Sequence, residues 1–299
     1  MNIKLKALVA LTIPIFLWSS MVVVARVTVE TIHPLTLLFS RLFFAALPFF
    51  PFLLKSKPWK RKFFSSLLMM SFLTTINFTF FLLGIQYTSA SASQLIYAAV
   101  PVLILILNIT IFRETHAARK ILGVLIGFLG LMLIIYLSAI EKGTTITGSL
   151  MGNLLVIIGM VSWVFYLLMS KRIQKYFTPV EIGGISIVVS FLVSIPLFLF
   201  EVFVLNLHSK IDPNGIFAVF FMGFFGTFLS YLFYLHGLRY VSALTASFTS
   251  YIQPIVTAIL EIILLGEKLT LGFISGSGLV FIGVFLATTL EFLHRRNNK

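Results

Sequence analysis

Ten residues in six apolar stretches have the polar or aromatic character needed to hold a small molecule: Trp18, Asn77, Gln94, Tyr97, Trp163, Tyr166, Tyr231, Tyr234, Thr249 and Gln253. Each lies in a run made mostly of Leu, Ile, Val and Phe. Hydrocarbon surroundings cannot satisfy an amide, a hydroxyl or an indole N–H, so such residues mark either interhelical packing or a route through a membrane. Spacing narrows the choice. Gln94, Tyr97, Pro101 and Asn108 follow one another at intervals that keep them on one helix face. Trp163 and Tyr166 are three apart, as are Tyr231 and Tyr234, and both pairs sit near mid-run rather than in an interfacial belt. With Trp18 they are expected to form a box suited to a substrate with a flat or apolar part, such as an aromatic or branched amino acid. Thr245, Thr249, Gln253 and Thr257 recur every fourth residue, a step that winds around a helix. Thr249 and Gln253 are the members expected at a cavity, while other hydroxyls bond their own backbone.

Charged groups inside the runs are scarce. Arg41 is the only basic one, and three readings stand for it: snorkelling to an interface, an ion pair or structural anchor, and contact with an anionic substrate group. Pairing or anchoring is favoured, because Arg41 lies outside the runs richest in polar residues. Glu261, about four residues from a run end, is the candidate for proton coupling, with Asn108 at the matching position of the first half. So thin an acid set favours facilitated or weakly coupled transport over proton antiport. The competing class is a membrane enzyme, which needs a convergent nucleophile, acid/base or metal cluster. The chain has no Cys, and its five His residues fall at loops or run ends. No His or carboxylate pair shares a run interior, so no catalytic residue, metal or cofactor is expected.

The elements that must position these residues follow from composition. The 299 residues are 59% hydrophobic and 10% charged, with a mean hydropathy of +1.08, which excludes a soluble globule. Apolar runs of membrane-crossing length occupy roughly 7–25, 34–54, 63–85, 89–112, 118–138, 147–170, 178–205, 215–236, 242–265 and 269–291. The net charge of +13 would suggest nucleic acid in a soluble domain, but all the basic residues except Arg41 lie between the runs or at their ends. With ten runs and the N-terminus inside, seventeen Lys and Arg fall on one side, and Arg26, Lys142, Lys210 and Lys268 on the other. The positive-inside rule then puts both termini in the cytoplasm. The first run follows Lys4 and Lys6 and ends in small residues, the outline of a cleavable signal, yet removing it would truncate a repeat.

That repeat organises the chain. Gly84–Gly130 superposes without a gap on Gly237–Gly283 at a shift of 153, with 13 identities in 47 positions. These include Gly84/Gly237, Tyr87/Tyr240, Pro101/Pro254, Glu114/Glu267, Gly123/Gly276 and Gly130/Gly283, a set that two unrelated greasy helices do not share in register. Upstream, a shift of 145 sets Trp18 on Trp163, Pro34 on Pro179 and Pro51 on Pro196. Each half, 1–142 and 143–299, is therefore one unit of five spans. An odd number forces the copies to cross in opposite senses, so the expected fold is an all-α polytopic membrane protein of ten transmembrane helices in two inverted five-helix repeats. Such folds belong to secondary transporters with a site near the midplane. Pro101 and Pro254 are expected to bend the fourth and ninth helices. Glycines 123, 127, 130, 272, 276 and 283 give the fifth and tenth helices small faces for close packing, by default within the fold.

These residues together resemble the EamA-type branch of the drug/metabolite transporter superfamily. The likeness rests on Trp18 and Trp163 late in the first span of each half, Arg41 in the second span, Gly84-x-x-Tyr87-x-Ser89-Ala90, Pro101, Glu114 and Gly123, and their counterparts Gly237-x-x-Tyr240-x-Ser242-Ala243, Pro254, Gly266-Glu267 and Gly276. It implies two inverted bundles around a central cavity and transport of small metabolites, commonly by export, without fixing a substrate. The expectation is a multi-pass secondary transporter of a bacterial cytoplasmic membrane that exports amino acids or related compounds by alternating access. A proton-coupled drug antiporter of the same fold is the alternative. Its partners would be a small-molecule substrate and the lipid bilayer, with no nucleic acid, and it would act as a monomer or weak homodimer.

Overall fold

The computed structural model describes the backbone of residues 3–88, 90–142, 149–209, 212–265 and 271–297, and the side chains within them except those of 3–5, 90, 91, 135, 138, 139, 141, 142, 258, 261, 262, 264, 265 and 289–297. Ser89, Lys210, Glu267, Lys268 and the side chains of Lys142 and Glu261 thus lie outside the described residues. Within them the chain is helical, without a strand, as a backbone in lipid must be to satisfy its own N–H and C=O groups. Eight described segments are long and apolar enough to cross a membrane: Lys6–Thr28, Pro34–Ser56, Phe64–Ile85, Ala92–Thr110, Leu150–Ile173, Pro179–Val204, Pro213–Leu238 and Leu271–Thr288. The two remaining apolar runs are also helical, as α7 (Ala118–Lys142) and as α12 (Ala243–Ser247) followed by α13 (Thr249–Leu265). Large apolar side chains such as Leu8, Phe16, Phe52, Leu129, Phe217 and Phe285 stand exposed, the lipid-facing surface of a multi-pass membrane protein.

The other helices, in chain order, are α1 (Ile3–Thr28), α2 (Pro34–Ala46), α3 (Phe50–Ser56), α4 (Phe64–Ile85), α5 (Ala90–Ala98), α6 (Val100–Thr110), α8 (Leu150–Ile173), α9 (Pro179–Leu199), α10 (Pro213–Phe220), α11 (Ser230–Leu238) and α14 (Leu271–Asn297). Several spans are interrupted, each for a local reason. The second tightens to a 3₁₀ turn at Leu47–Phe49 before Pro51. The fourth breaks at Ala99, which puts Pro101 in the first turn of α6, where a missing N–H costs nothing. The ninth breaks at Phe248, and Pro254 stays inside α13. The two breaks are therefore not at matching positions. The eighth span contains a nine-residue π-helical stretch, Phe221–Leu229, between α10 and α11. Two hydroxyls reach back five residues to support it, Thr227 Oγ1 to the Met222 carbonyl at 2.8 Å and Ser230 Oγ to that of Phe225 at 2.9 Å.

Helix contacts run chiefly between the two halves: α7 with α14, α4 with α8, α1 with α11 and α13, and α2 with α9. Glycine makes the closest of them possible. A Cβ on Gly123 would come within 2.6 Å of the Gly283 carbonyl, and one on Gly276 within 2.5 Å of the Gly130 carbonyl. The small faces of α7 and α14 are thus spent on each other, inside the fold.

Helix α9 is tied to the first half at both ends. At its start Glu181, buried, closes a capping box with Thr178 and pairs with Arg61 at 2.8 Å. Just past its end, in the π-helical turn Phe200–Val204, Glu201, also buried, accepts from the backbone N–H groups of Leu35 (3.0 Å) and Thr36 (2.6 Å) and from the Thr36 hydroxyl (2.7 Å). This carboxylate caps α2 from another helix. Pro34 has no N–H, and Leu37 donates to the His33 carbonyl, so every first-turn donor of α2 is accounted for.

Candidate functional site

The aromatic residues singled out by spacing meet. Trp18, on α1, packs edge-on against Trp163, on α8, with ring centroids 5.6 Å apart. Tyr231 and Tyr234, one turn apart on α11, lie 6.1 and 5.0 Å from Trp18 and 5.8 and 5.5 Å from Trp163. Tyr166 stacks on Trp163 at 5.6 Å. Phe78, on α4, closes on Tyr231 at 5.4 Å. Repeat arithmetic relates these contacts: Trp18 and Trp163 are partners at a shift of 145, Phe78 and Tyr231 at 153. Aromatic edges and faces at such separations attract one another beyond their buried area.

Polar groups fix the frame. The Trp18 indole donates to the Gly226 carbonyl, within the π-helical stretch, at 3.1 Å. Asn77 Nδ2 donates to Tyr97 Oη at 2.6 Å and to the Gly159 carbonyl at 2.8 Å, so one amide joins α4, α5 and α8. A Cβ at Gly159 would come within 3.2 Å of the Asn77 carbonyl, so α8 approaches α4 closely there.

Between these groups lies a cavity of about 80 Å³, several times the space one ordered water needs. Seven of the ten residues expected at a site line it: Trp18, Asn77, Gln94, Tyr97, Trp163, Tyr231 and Gln253. The other three stand behind its wall. Tyr166 and Tyr234 are fully buried in the aromatic cluster, and Thr249 donates to its own backbone at the Ala246 carbonyl, 3.0 Å away. Its neighbour Ser250 lines the cavity instead. Asn108, placed on the Gln94 face by spacing, is buried but not at the cavity; it lies about 21 Å farther along the span than Gln94 at about 1.5 Å per residue, past the helix break at Ala99. Spacing alone also missed Met21, Val22, Phe78, Phe81 and Ser93. The repeat carried a signal for two of them, since Phe78 is the partner of Tyr231 and Met21 that of Tyr166.

Arg41 lines the cavity as well and is 1% exposed. Its guanidinium lies over the Phe78 ring at 4.7 Å, and Nη1 is 4.0 Å from the Met21 sulfur. Nε has no hydrogen-bond partner. Among the described residues Arg41 is in no ion pair; those found are Arg26–Glu30, Arg61–Glu181 and His116–Glu114. The carboxylate partner favoured on sequence grounds is therefore not found among them. Also among the described residues, no three His, Asp or Glu come together to hold a metal.

The EamA-like transporter family model matches the chain twice, over residues 5–136 and 150–289. The uncharacterized transporter YyaM of Bacillus subtilis is 28% identical over 230 residues, 73% of this chain and 71% of its own. An uncharacterized transporter of Archaeoglobus fulgidus is 27% identical over 217 residues, 71% and 72% of the two chains. A solved crystal structure with 16% sequence identity superposes with a TM-score of 0.77 over 98% of this chain and 99% of its own; at that identity it is a likeness of fold.

Proposed function

The chain belongs to the EamA-like transporter family, and from that premise we propose that this membrane transporter carries small organic metabolites, amino acids or related compounds, outward across the cytoplasmic membrane by alternating access. The observation that carries the reading is the cavity itself. It lies where repeat partners from the two halves touch, Trp18 with Trp163 and Phe78 with Tyr231. A site at a repeat interface is what alternating access requires, because exchanging the conformations of two related halves opens it to opposite sides.

Further contacts support two inverted five-helix units, 1–142 and 143–299. A Cβ on Gly84 would meet Val156 at 2.7 Å, and one on its partner Gly237 would meet Leu11 at 2.7 Å. Val156 and Leu11 are themselves partners at a shift of 145. Gly123 facing Gly283 and Gly276 facing Gly130 are likewise one contact written twice. Counting α7 and α12–α13 as spans gives ten crossings, which put both termini on one side, the cytoplasm by the positive-inside rule. With the glycine faces used internally, the working unit is a monomer or a weak homodimer.

The test is flux into proteoliposomes of a labelled panel of amino acids, nucleosides and sugars, with and without a pH gradient. Saturable flux on the substrate gradient alone is the expected result. Flux that requires the pH gradient and vanishes in Glu261→Gln would replace the facilitator with a proton antiporter. No flux of any class, from protein whose melting transition is intact, would refute transport of these metabolites.

A further inference from the structure

A guanidinium buried to 1% exposure, with an orphaned Nε and no carboxylate beside it among the described residues, is an unusual thing to keep in a membrane protein. An unpaired buried charge is strongly destabilising, and such charges mark ion or substrate sites. Arg41 is held firmly nonetheless. Glu201 fixes the first turn of α2, and the backbone of Arg41 itself abuts Gly223, where a Cβ would come within 2.5 Å of the Arg41 carbonyl. The Phe78 face stabilises the cation but offers Nε no acceptor. The rest of the lining is neutral: amides from Asn77, Gln94 and Gln253, hydroxyls from Ser93 and Ser250, and aromatic faces.

Resting on the transporter reading of this cavity, we infer that Arg41 is the counter-ion for the substrate, and that the cavity selects molecules with a carboxylate on a flat or apolar body over cations of the same shape. A guanidinium presents its N–H groups in a planar fork that matches a carboxylate, while Trp18, Trp163 and Tyr231 cover the apolar part. Repeat symmetry argues in the same direction. The partner of Arg41 is Ser186, which is tied up with Ser71 at 3.3 Å, so the charge is an asymmetric feature of a nearly symmetric site. Two sources share the carboxylate chemistry, zwitterionic amino acids and simple organic acids. Charge movement separates them. Uniport of a monoanion responds to membrane potential by about fifty-fold in its equilibrium gradient per 100 mV, with an inside-negative potential driving efflux, whereas a zwitterion moves no net charge.

The experiment is equilibrium binding to the purified full chain in detergent, read by the fluorescence of Trp18 and Trp163 in a Trp59→Phe background, since Trp59 lies outside the spans. The probes are 3-phenylpropanoate, phenylalanine, phenylalanine amide and phenethylamine. Expected is saturable binding of the first two, with the amide and the amine at least about ten-fold weaker, as loss of a bond to a charged partner implies. Arg41→Gln should abolish that preference, and Arg41→Lys should retain part of it. Equal or tighter binding of phenethylamine, an unchanged preference in Arg41→Gln, or no binding of either carboxylate overturns the inference. Should Arg41→Gln fail to fold, the wild-type probe series decides alone. Binding without flux in proteoliposomes would remove the transporter reading and leave the counter-ion standing; flux of the probes indifferent to Arg41 would do the reverse.

Discussion

Replacing Glu201 tests how α2, and with it Arg41, is held. The Glu201 carboxylate takes three hydrogen bonds, two from backbone N–H groups of the first turn of α2 and one from the Thr36 hydroxyl. Leu35 and Thr36 are 8% and 5% exposed, so water does not replace a lost acceptor. Glu201→Ala leaves two buried N–H groups unsatisfied at about 1–3 kcal/mol each and removes the negative charge that complements the N-terminal end of the helix dipole. The expected loss is about 2–6 kcal/mol. Glu201→Gln keeps an acceptor oxygen and should cost about 1–2 kcal/mol, while Thr36→Val, which removes one bond to the carboxylate, should cost about 1 kcal/mol. Reversible unfolding in detergent micelles measures all three. In the double variant the cost of Thr36→Val should shrink, because the two residues share one network. Glu201→Ala within about 0.5 kcal/mol of wild type would refute the cap and the positioning of Arg41 that depends on it.

Three further outcomes are expected. Gly276→Val should destabilise by about 2–3 kcal/mol or more, since its Cβ meets the backbone of α7 at 2.5 Å, whereas Gly278→Ala, with nothing within 4 Å, should be neutral or stabilising by up to about 1 kcal/mol; comparable losses at both positions would refute the crossing. Asn77→Leu removes both hydrogen bonds that join α4 to α5 and α8, and should cost about 1–3 kcal/mol and reduce saturable flux; wild-type melting and flux together would show that this amide is idle. Because the chain has no native cysteine, Lys60→Cys and His208→Cys report sidedness cleanly: an impermeant maleimide on intact cells should label only the second, and the reverse pattern would invert the topology.

Much of the fold is legible along the chain because backbone satisfaction in lipid leaves few choices. Each apolar run is helical within its described residues, the glycines that match in the two halves pack α7 on α14, and the polar and aromatic residues isolated within runs gather largely at one cavity. What was not legible is mostly a matter of facing. A helix that is apolar all round carries no stripe to say which side meets protein and which meets lipid, since both environments accept Leu and Phe alike. Val22 and Phe81 therefore look like any other greasy residue until the helices are docked, whereas Met21 and Phe78 are marked only by their repeat partners Tyr166 and Tyr231. Thr249 turns its hydroxyl to its own backbone while Ser250 lines the cavity, and one-face spacing places Asn108 on the Gln94 side of the helix but not at its depth.

By itself the sequence determined that this is a multi-span helical membrane protein built on a repeat, because residue type and register are written in one dimension. The tertiary structure alone decided the state of its charges. Glu201, which no spacing or repeat singles out along the chain, is the cap of a distant helix. Arg41 reads as paired or as a structural anchor, and it stands beside a cavity with no acid in an ion pair with it among the described residues. The cost of a buried charge depends on which atoms surround it within a few ångströms, and in a chain folded back on itself those atoms come from helices far apart in sequence.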